Sequence, residues 1–198
     1  MTEEKEMELS QVTAERRSIR DFKEGMSINA DQIREMVACA QLAPSWKNSQ
    51  TGRYYEFEIF LLRMNQKDSD MLLERIAEIN EKALPAFNVN SSKNACALVI
   101  TTFEMKRAGF DREGNPDNEL GDQWGAYDLG LQNQNFLLKA REMGYDTLVM
   151  GIRDGQALRD ILEIPDSQQV VAVIAVGVRE TTPEMPKRKD TDSILKVY

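Results

Sequence analysis

The spacing of apolar residues predicts a helix early in the chain and two strands after it. Residues 30–42 carry Ile33, Met36, Val37 and Ala40 at helical spacing, and Asn29 stands where a capping residue is expected. Residues 53–62 are rich in aromatic and β-branched side chains, which is typical of a strand. Residues 95–103 are almost wholly apolar, which predicts a central strand covered on both faces.

The remaining pattern adds further helices and two more strands. Residues 10–17 and 69–82 read as helices, and a long helix is expected at about 122–143, ended by Gly144. Strands at 146–150 and 169–178 enclose a short helix at 154–162 that Asp154 would cap. The residues expected on the buried side of the long helix are Trp124, Tyr127, Leu131, Leu138 and Met143.

This order of elements favours an α+β fold or a mixed three-layer arrangement, because it lacks a regular alternation of strand and helix. Residues 1–198 are treated as one domain with a tail from about residue 180. The tail has too few apolar residues for a core of its own. Its last apolar side chains suggest that it docks on another subunit; they are Ile194, Leu195, Val197 and Tyr198.

Composition excludes several classes of protein. The net charge of −8 argues against general nucleic-acid binding, and the absence of His removes His-based triads and His-ligated metal sites. Cys39 and Cys96 lie in apolar stretches, so small core thiols are expected and no metal site is predicted. The first ten residues are acidic and polar, unlike a secretory signal, and no apolar run is long enough to cross a membrane. We therefore expect a cytoplasmic location.

Two basic clusters interrupt this acidic chain. The first contains Arg16, Arg17, Ser18 and Arg20, residue types that bind phosphate through guanidinium forks and a hydroxyl. The second is the run 187–189 in the tail, with Arg188 and Lys189. Spacing alone leaves open whether the tail completes the same anion site or both clusters are solvated surface.

The turn at residues 43–50 and the loop at residues 106–121 are the other polar segments of interest. The turn offers an indole and amide groups that suit a planar heterocycle, although, taken singly, an ordinary connecting loop is the favoured interpretation. The loop, here called the acidic loop, resembles a calcium site only loosely, and a solvated insertion is favoured. Dinucleotide, phosphate-loop and nucleophile-elbow motifs do not occur in the sequence.

In chain order, these segments resemble the FMN-dependent nitroreductase family from about residue 12 to the C-terminus. The resemblance is carried by the basic cluster, the turn, GAYDLGLQNQNFLLKAREMG, Met150-Gly151 and the strand ending at Gly177, followed by the basic tail. Two departures are Thr51-Gly52, where relatives have Pro-Trp, and Ile152-Arg153-Asp154, where many relatives place a Glu near the flavin. The first puts the strand entry in doubt, and the second means that the Glu contact does not transfer.

The resemblance implies a mixed, mainly antiparallel central sheet flanked by helices, in a homodimer that exchanges terminal extensions. It also implies an FMN site shared between the two subunits. Arg16, Arg17, Ser18 and Arg20 would contact the phosphate, ribityl chain and pyrimidine edge. Met150 and Gly151 would approach the ring through their backbone, and Arg188 and Lys189 would help to hold the phosphate. The turn would reach the flavin of the partner subunit through Pro44, Ser45, Trp46 and Asn48.

The implied activity is hydride transfer from NADPH or NADH through flavin N5 to a nitroaromatic, quinone or similar acceptor by a ping-pong mechanism. No residue is singled out as a proton donor. The alternatives are a specialised enzyme of the same fold, such as a dehydrogenase or reductive dehalogenase, and a flavin carrier or sensor without turnover. The acidic loop would shape substrate access.

Overall fold

The centre of the protein is a four-stranded sheet with the strand order β1-β2-β4-β3. The computed structural model describes residues 8–58 and 74–198. The strands are β1 (Gly52–Glu58), β2 (Ala97–Glu104), β3 (Asp146–Met150) and β4 (Gln168–Gly177). All three neighbouring pairs are antiparallel, which confirms the predicted α+β class with an antiparallel sheet flanked by helices.

Five α-helices, a helical segment at residues 74–78 and three short helical turns surround the sheet in the described part of the chain. The helices are α1 (Leu9–Glu15), α2 (Ala30–Gln41), α3 (Ala86–Ser91), α4 (Gln123–Glu142) and α5 (Gly155–Leu162). The turns are Trp46–Asn48, Ile79–Ala83 and Thr191–Ser193. The sequence reading missed α3, because six residues are too few to show a helical repeat.

Two sequence predictions extend beyond the described residues. Positions 59–62 of the strand predicted at 53–62 lie outside them, as do positions 69–73 of the helix predicted at 69–82. Residues 74–78 are helical and continue into the π-helical turn Ile79–Ala83. The doubt about the strand entry is answered by β1, which begins at Gly52, directly after Thr51.

The helix ends follow the capping residues read from the sequence. The Asn29 side chain accepts from the backbone N–H of Gln32 at 2.9 Å, and the Gln32 side chain accepts from the backbone N–H of Asn29 at 3.0 Å. Asp154 accepts from the backbone N–H groups of Gln156 and Ala157 at the start of α5. Gly144, with a φ of 85°, follows the end of α4.

Apolar side chains cover both faces of the sheet. Along β2, Leu98 and Ile100 belong to the cluster on one face, while Ala97 and Val99 belong to the cluster on the other. Strand β2 pairs with β1 on one side and β4 on the other, so it is the central strand that its apolar run predicts. The second cluster includes Phe136 of α4, which places the long helix against the sheet.

The predicted buried side of α4 is wrong. Tyr127 is 59% exposed, and the other four residues of that prediction are only partly buried. The residues that are buried are Gly125, Asp128, Leu129, Gln132, Phe136, Leu137 and Ala140. The helix packs closely here, because a Cβ at Gly125 would overlap the Phe103 ring. Small and polar residues therefore occupy the buried face, which a search for large apolar residues overlooks.

The segment after α1 runs along the β3 edge and the end of β4. The Ile19 N–H donates to the Thr147 carbonyl at 3.0 Å, and the Lys23 N–H donates to the Val178 carbonyl at 2.8 Å. Ile19 and Phe22 are buried in the core cluster on this side. These contacts hold the predicted phosphate-binding segment at a defined place on the sheet.

Both cysteines of the chain are free thiols. Cys96 is buried and Cys39 is partly buried. None of the helices in the described ranges is long and apolar enough to cross a membrane.

Candidate functional site

The basic segment at residues 16–20 presents polar side chains outward while it is anchored through the core. Ser18 forms a parallel bridge with Thr147, and Ile19 between its polar neighbours is only 1% exposed. Ser18 and Arg20 are exposed. Since neighbouring side chains of an extended segment point in opposite directions, burial of Ile19 directs Ser18 and Arg20 to solvent.

The two basic clusters come together in the structure. Burial lowers the pKa of Arg16 below its usual value, and repulsion from Arg17 and Arg188 lowers that pKa further. The tail therefore brings Arg188 near enough to Arg16 for their charges to repel each other. An anion bound beside these arginines would relieve the repulsion.

The Arg17 guanidinium has one buried N–H group without a hydrogen-bond partner among the described residues. Its Nη1 donates to the carbonyls of Ala14 and Arg16 at 2.6 and 2.7 Å, which orients the guanidinium at the end of α1. Its Nε is buried and has no hydrogen-bond partner among the described residues. An unsatisfied buried donor on a cation is costly, and an anionic ligand would satisfy it.

Asp146 supports the basic segment from the adjacent strand. Its carboxylate is 1% exposed and accepts from Arg179 Nε at 2.7 Å and from Arg141 Nη1 at 3.1 Å. The next residue, Thr147, is the one that pairs with Ser18 and Ile19. The buried carboxylate and its two arginines therefore hold the strand edge on which the basic segment lies.

The turn at residues 44–50 is held by a buried carboxylate of α4. The Trp46 N–H donates to Asp128 Oδ2 at 2.8 Å, and Asp128 is 2% exposed. Burial raises the pKa of Asp128, and the hydrogen bond from Trp46 partly opposes this rise. Ser45 Oγ accepts from the Gln50 N–H at 3.1 Å and closes the turn.

Unusual backbone conformations concentrate in this part of the protein. Five non-glycine residues have positive φ in the described ranges, and four of them are Lys47, Asn48, Gln50 and Lys106. Such conformations cost of order 1–3 kcal/mol each and tend to occur at functional sites. The turn therefore depends on the contacts around it for its shape.

The acidic loop packs against the turn. Asp117 Oδ2 accepts from Lys47 Nζ at 2.7 Å and from Trp46 Nε1 at 3.2 Å. The Trp46 ring lies 4.6 Å from the Trp124 ring, centroid to centroid. Gly109 has a φ of 82° and lies against the Gly121 carbonyl and Trp124, so a larger residue would not fit. The loop is mostly exposed, as expected for a solvated insertion, and it packs against the turn through Asp117 and the residues around Gly109.

Met150 and Gly151 offer different groups at the end of β3. The Met150 side chain is 2% exposed and belongs to the core, so only its backbone is available to a ligand. Gly151 is exposed, and a Cβ added there would meet no atom within 4 Å. The space beside this strand end is open to a planar group.

The predicted site residues fall into two groups within one chain. The first group comprises Arg16, Arg17, Ser18 and Arg188, and the second is the turn with Pro44, Ser45, Trp46 and Asn48. The hydrogen bonds, ion pairs and ring contacts found in the described ranges do not join the two groups. Arg20 and Lys189 are exposed and have no hydrogen-bond or ion-pair partner among the described residues.

Three features of the site were not anticipated from the sequence. Asp128 and Asp146 read as ordinary acidic residues, and the packing of the acidic loop on the turn depends on how the chain folds. A polar residue on the buried stripe of α4 is the signal that would have identified Asp128. In the described ranges, no group of three or more Cys, Asp or Glu residues is arranged to hold a metal ion.

Comparisons with known proteins place these observations in a wider context. The family model described as the nitroreductase family matches residues 13–178. MhqN of Bacillus subtilis, which carries a provisional NAD(P)H nitroreductase name, is 27% identical over 91% of this chain and 93% of its own length.

Two solved structures have the same fold. A provisionally named nitroreductase of Exiguobacterium sibiricum, solved in complex with FMN, has a TM-score of 0.79 at 18% identity, covering 97% of this chain and 98% of that chain. A nitroreductase family protein of Streptococcus pneumoniae has a TM-score of 0.77 at 18% identity, covering 96% of this chain and 100% of that chain.

Proposed function

This chain belongs to the nitroreductase family, and from that premise we propose that it is an FMN-dependent oxidoreductase that takes electrons from NADPH or NADH. The observation that carries the proposal is that Arg16 and Arg17 lie on a segment anchored to the β3 edge, with Arg188 of the tail near enough to repel Arg16. The fold neighbour solved with FMN and the provisional name of MhqN support the choice of cofactor and donor.

The arginine cluster fits the phosphate end of FMN. A phosphate would satisfy the buried Nε of Arg17 and offset the repulsion that lowers the pKa of Arg16. Ser18 and Arg20 point outward from the same segment, and we assign them to the ribityl chain and pyrimidine edge. Lys189 follows Arg188 and would add charge at the phosphate.

The end of β3 fits the flavin ring. Gly151 leaves open space next to the strand, and the backbone of Met150 and Gly151 would face the ring. Bound FMN supplies hydride exchange between a reduced nicotinamide and an electron acceptor, in two half-reactions at one site. An arginine of the basic segment at the pyrimidine edge would stabilise negative charge that develops there. No residue is assigned as proton donor.

We place the second part of the site on a partner subunit. Within one chain, the turn at residues 43–50 is bound to α4 and the acidic loop, and no hydrogen bond, ion pair or ring contact in the described ranges joins it to the basic segment. The tail ends in exposed apolar residues, including Val197 at 85% exposure. A homodimer in which each turn reaches the other subunit's flavin accounts for both observations. The chain 1–198 then acts as one FMN-binding domain whose tail docks on the partner.

The absorbance spectrum of the purified protein tests this function. Flavin bands are expected, and anaerobic addition of NADPH or NADH should bleach them before an added quinone or nitroaromatic restores them. Bands that persist with both donors would favour a carrier or sensor. Protein that binds no FMN on reconstitution would contradict the proposal. A rate with one acceptor far above that with generic quinones would identify a specialised enzyme of the same fold.

Sedimentation of the FMN-loaded protein tests the shared site. We expect the mass of a dimer, because no hydrogen bond, ion pair or ring contact among the described residues joins the turn to the basic segment within one chain. Removal of residues 190–198 should weaken the dimer by exposing the surface on which the tail docks. A monomer that retains FMN with full affinity would contradict the shared site, while leaving the flavin assignment intact.

A further inference from the structure

A cavity of about 490 Å³ lies between the turn and the acidic loop. Its wall includes Trp46 and Lys47 from the turn, and the loop contributes Lys106, Arg107, Phe110 and Arg112. It is separate from the arginine cluster at residues 16–20, none of whose side chains lines it. Its volume falls within the range of small-molecule sites.

The cavity is positively charged in a protein with a net charge of −8. Lys106, Arg107 and Arg112 line it, and none of the three has a hydrogen-bond or ion-pair partner for its side chain among the described residues. Lys47 is the one lining cation with an ion-pair partner in the described ranges, Asp117 at 2.7 Å. Unpaired cations that converge on one cavity favour an anionic occupant.

The acidic residue in the wall has other partners. Asp111 accepts from the backbone N–H groups of Glu113 and Asn115 at 3.0 and 2.8 Å, and from the Asn115 side chain at 3.1 Å. These hydrogen bonds hold the loop in shape and lower the pKa of Asp111. Asp111 therefore acts in the wall as a structural acceptor rather than as a partner for the lining cations.

Aromatic side chains give the cavity a second kind of surface. Trp46 and Phe110 both line it, and Trp124 supports Trp46 from behind at a centroid distance of 4.6 Å. Aromatic surfaces bind planar rings by stacking, while the cations bind a carboxylate or phosphate through charge-assisted hydrogen bonds. The two surfaces together select a planar molecule that carries an anionic group.

We propose that this cavity is a binding site for a planar aromatic molecule bearing a carboxylate or phosphate, held by Lys106, Arg107 and Arg112. The inference rests on the proposed function in one respect, the position of the cavity beside the flavin. The turn that would reach the partner's flavin also forms the cavity wall. The anionic group belongs either to the electron acceptor or to the phosphate that distinguishes NADPH from NADH. Both sources present the same chemistry to the cavity.

Tryptophan fluorescence measures occupancy without reference to catalysis. The two tryptophans of the chain are Trp46 and Trp124, so quenching reports on this wall. The probes are para-nitrobenzoate against the neutral para-nitrobenzamide, and NADPH against NADH, each titrated into the purified protein. We expect the anionic member of at least one pair to bind about tenfold more tightly.

A double variant and a matched control identify the residues. Lys106→Gln with Arg112→Gln should abolish the tenfold preference, while binding of the neutral probe stays the same. Lys93→Gln with Arg75→Gln removes the same two residue types at exposed positions outside the cavity. This control should change neither the preference for the anionic probe nor the binding of the neutral probe. Equal thermal midpoints for the two double variants would show that both have kept their fold.

The outcomes separate the two sources and the two proposals. If the Lys106/Arg112 double variant loses the preference for para-nitrobenzoate, the occupant of the cavity is an anionic electron acceptor. If the double variant loses the preference for NADPH over NADH, the occupant is the phosphate of NADPH. If neither pair shows a preference, or if the preference survives the double variant, the anion site is wrong. If the preference appears in protein that binds no FMN, the anion site stands and the proposed oxidoreductase function fails.

Discussion

Replacing Asp146 with alanine is expected to lower the free energy of unfolding by about 3 kcal/mol. The carboxylate is 1% exposed and holds Arg141 and Arg179, whose side chains are 17% and 13% exposed. Removal of one member of a buried ion pair costs about 3–5 kcal/mol, because the remaining charge loses its partner. The lower end applies here, since both arginines keep some contact with water.

The same substitution should also weaken FMN binding. Thr147, the residue after Asp146, forms the bridge to Ser18 and accepts from the Ile19 N–H. Loosening this strand edge would disturb the segment that carries Arg16 and Arg17. Chemical denaturation with and without FMN measures both effects, and we expect FMN to stabilise the variant less than the wild type.

Two further variants make this prediction specific. Asp146→Asn keeps an acceptor oxygen and removes the charge, so its loss of stability should be smaller than that of the alanine variant. Asp166→Ala removes a fully exposed carboxylate 3.9 Å from Arg159 and should change stability by less than about 1 kcal/mol. An Asp146→Ala protein as stable as Asp166→Ala would show that the buried pair contributes little.

Arg16→Ala should reduce FMN affinity by roughly tenfold to a hundredfold, which corresponds to a charge-assisted hydrogen bond of about 1.5–3 kcal/mol. The stability of the apoprotein should stay the same or rise, because the substitution removes repulsion among Arg16, Arg17 and Arg188. Opposite effects on binding and stability distinguish a ligand-binding arginine from a structural one. Titration with FMN and thermal unfolding of the apoprotein measure the two quantities.

Riboflavin provides the ligand control for this arginine. It lacks the phosphate, so Arg16→Ala should change its affinity much less than that of FMN. Arg16→Lys should keep more FMN affinity than Arg16→Ala, because lysine retains the positive charge but lacks the two-pronged hydrogen-bonding geometry of a guanidinium group. Arg34→Ala removes an exposed arginine paired with Asp31 and should leave FMN affinity unchanged. Equal losses for FMN and riboflavin would mean that Arg16 does not bind the phosphate.

Local patterns in the sequence predicted most of the fold. The capping box at Asn29 and Gln32, the N-cap at Asp154 and the apolar run of β2 all specify short-range structure, and each was confirmed. The α4 prediction failed for the opposite reason. Its buried face is decided by the close approach of Gly125 to Phe103, which lie 22 positions apart in the printed sequence and belong to different elements.

The sequence by itself determined most of the elements, the α+β class and the residue types that suit a phosphate and a planar ring, because these depend on local spacing and composition. Only the tertiary structure decided which of these residues meet. Arg188 comes near enough to Arg16 to repel it, Asp128 accepts a hydrogen bond from Trp46, and Lys106 and Arg112 line one cavity with Trp46. Each of these interactions joins residues far apart in the chain, and no periodicity within one segment encodes a distance across the fold.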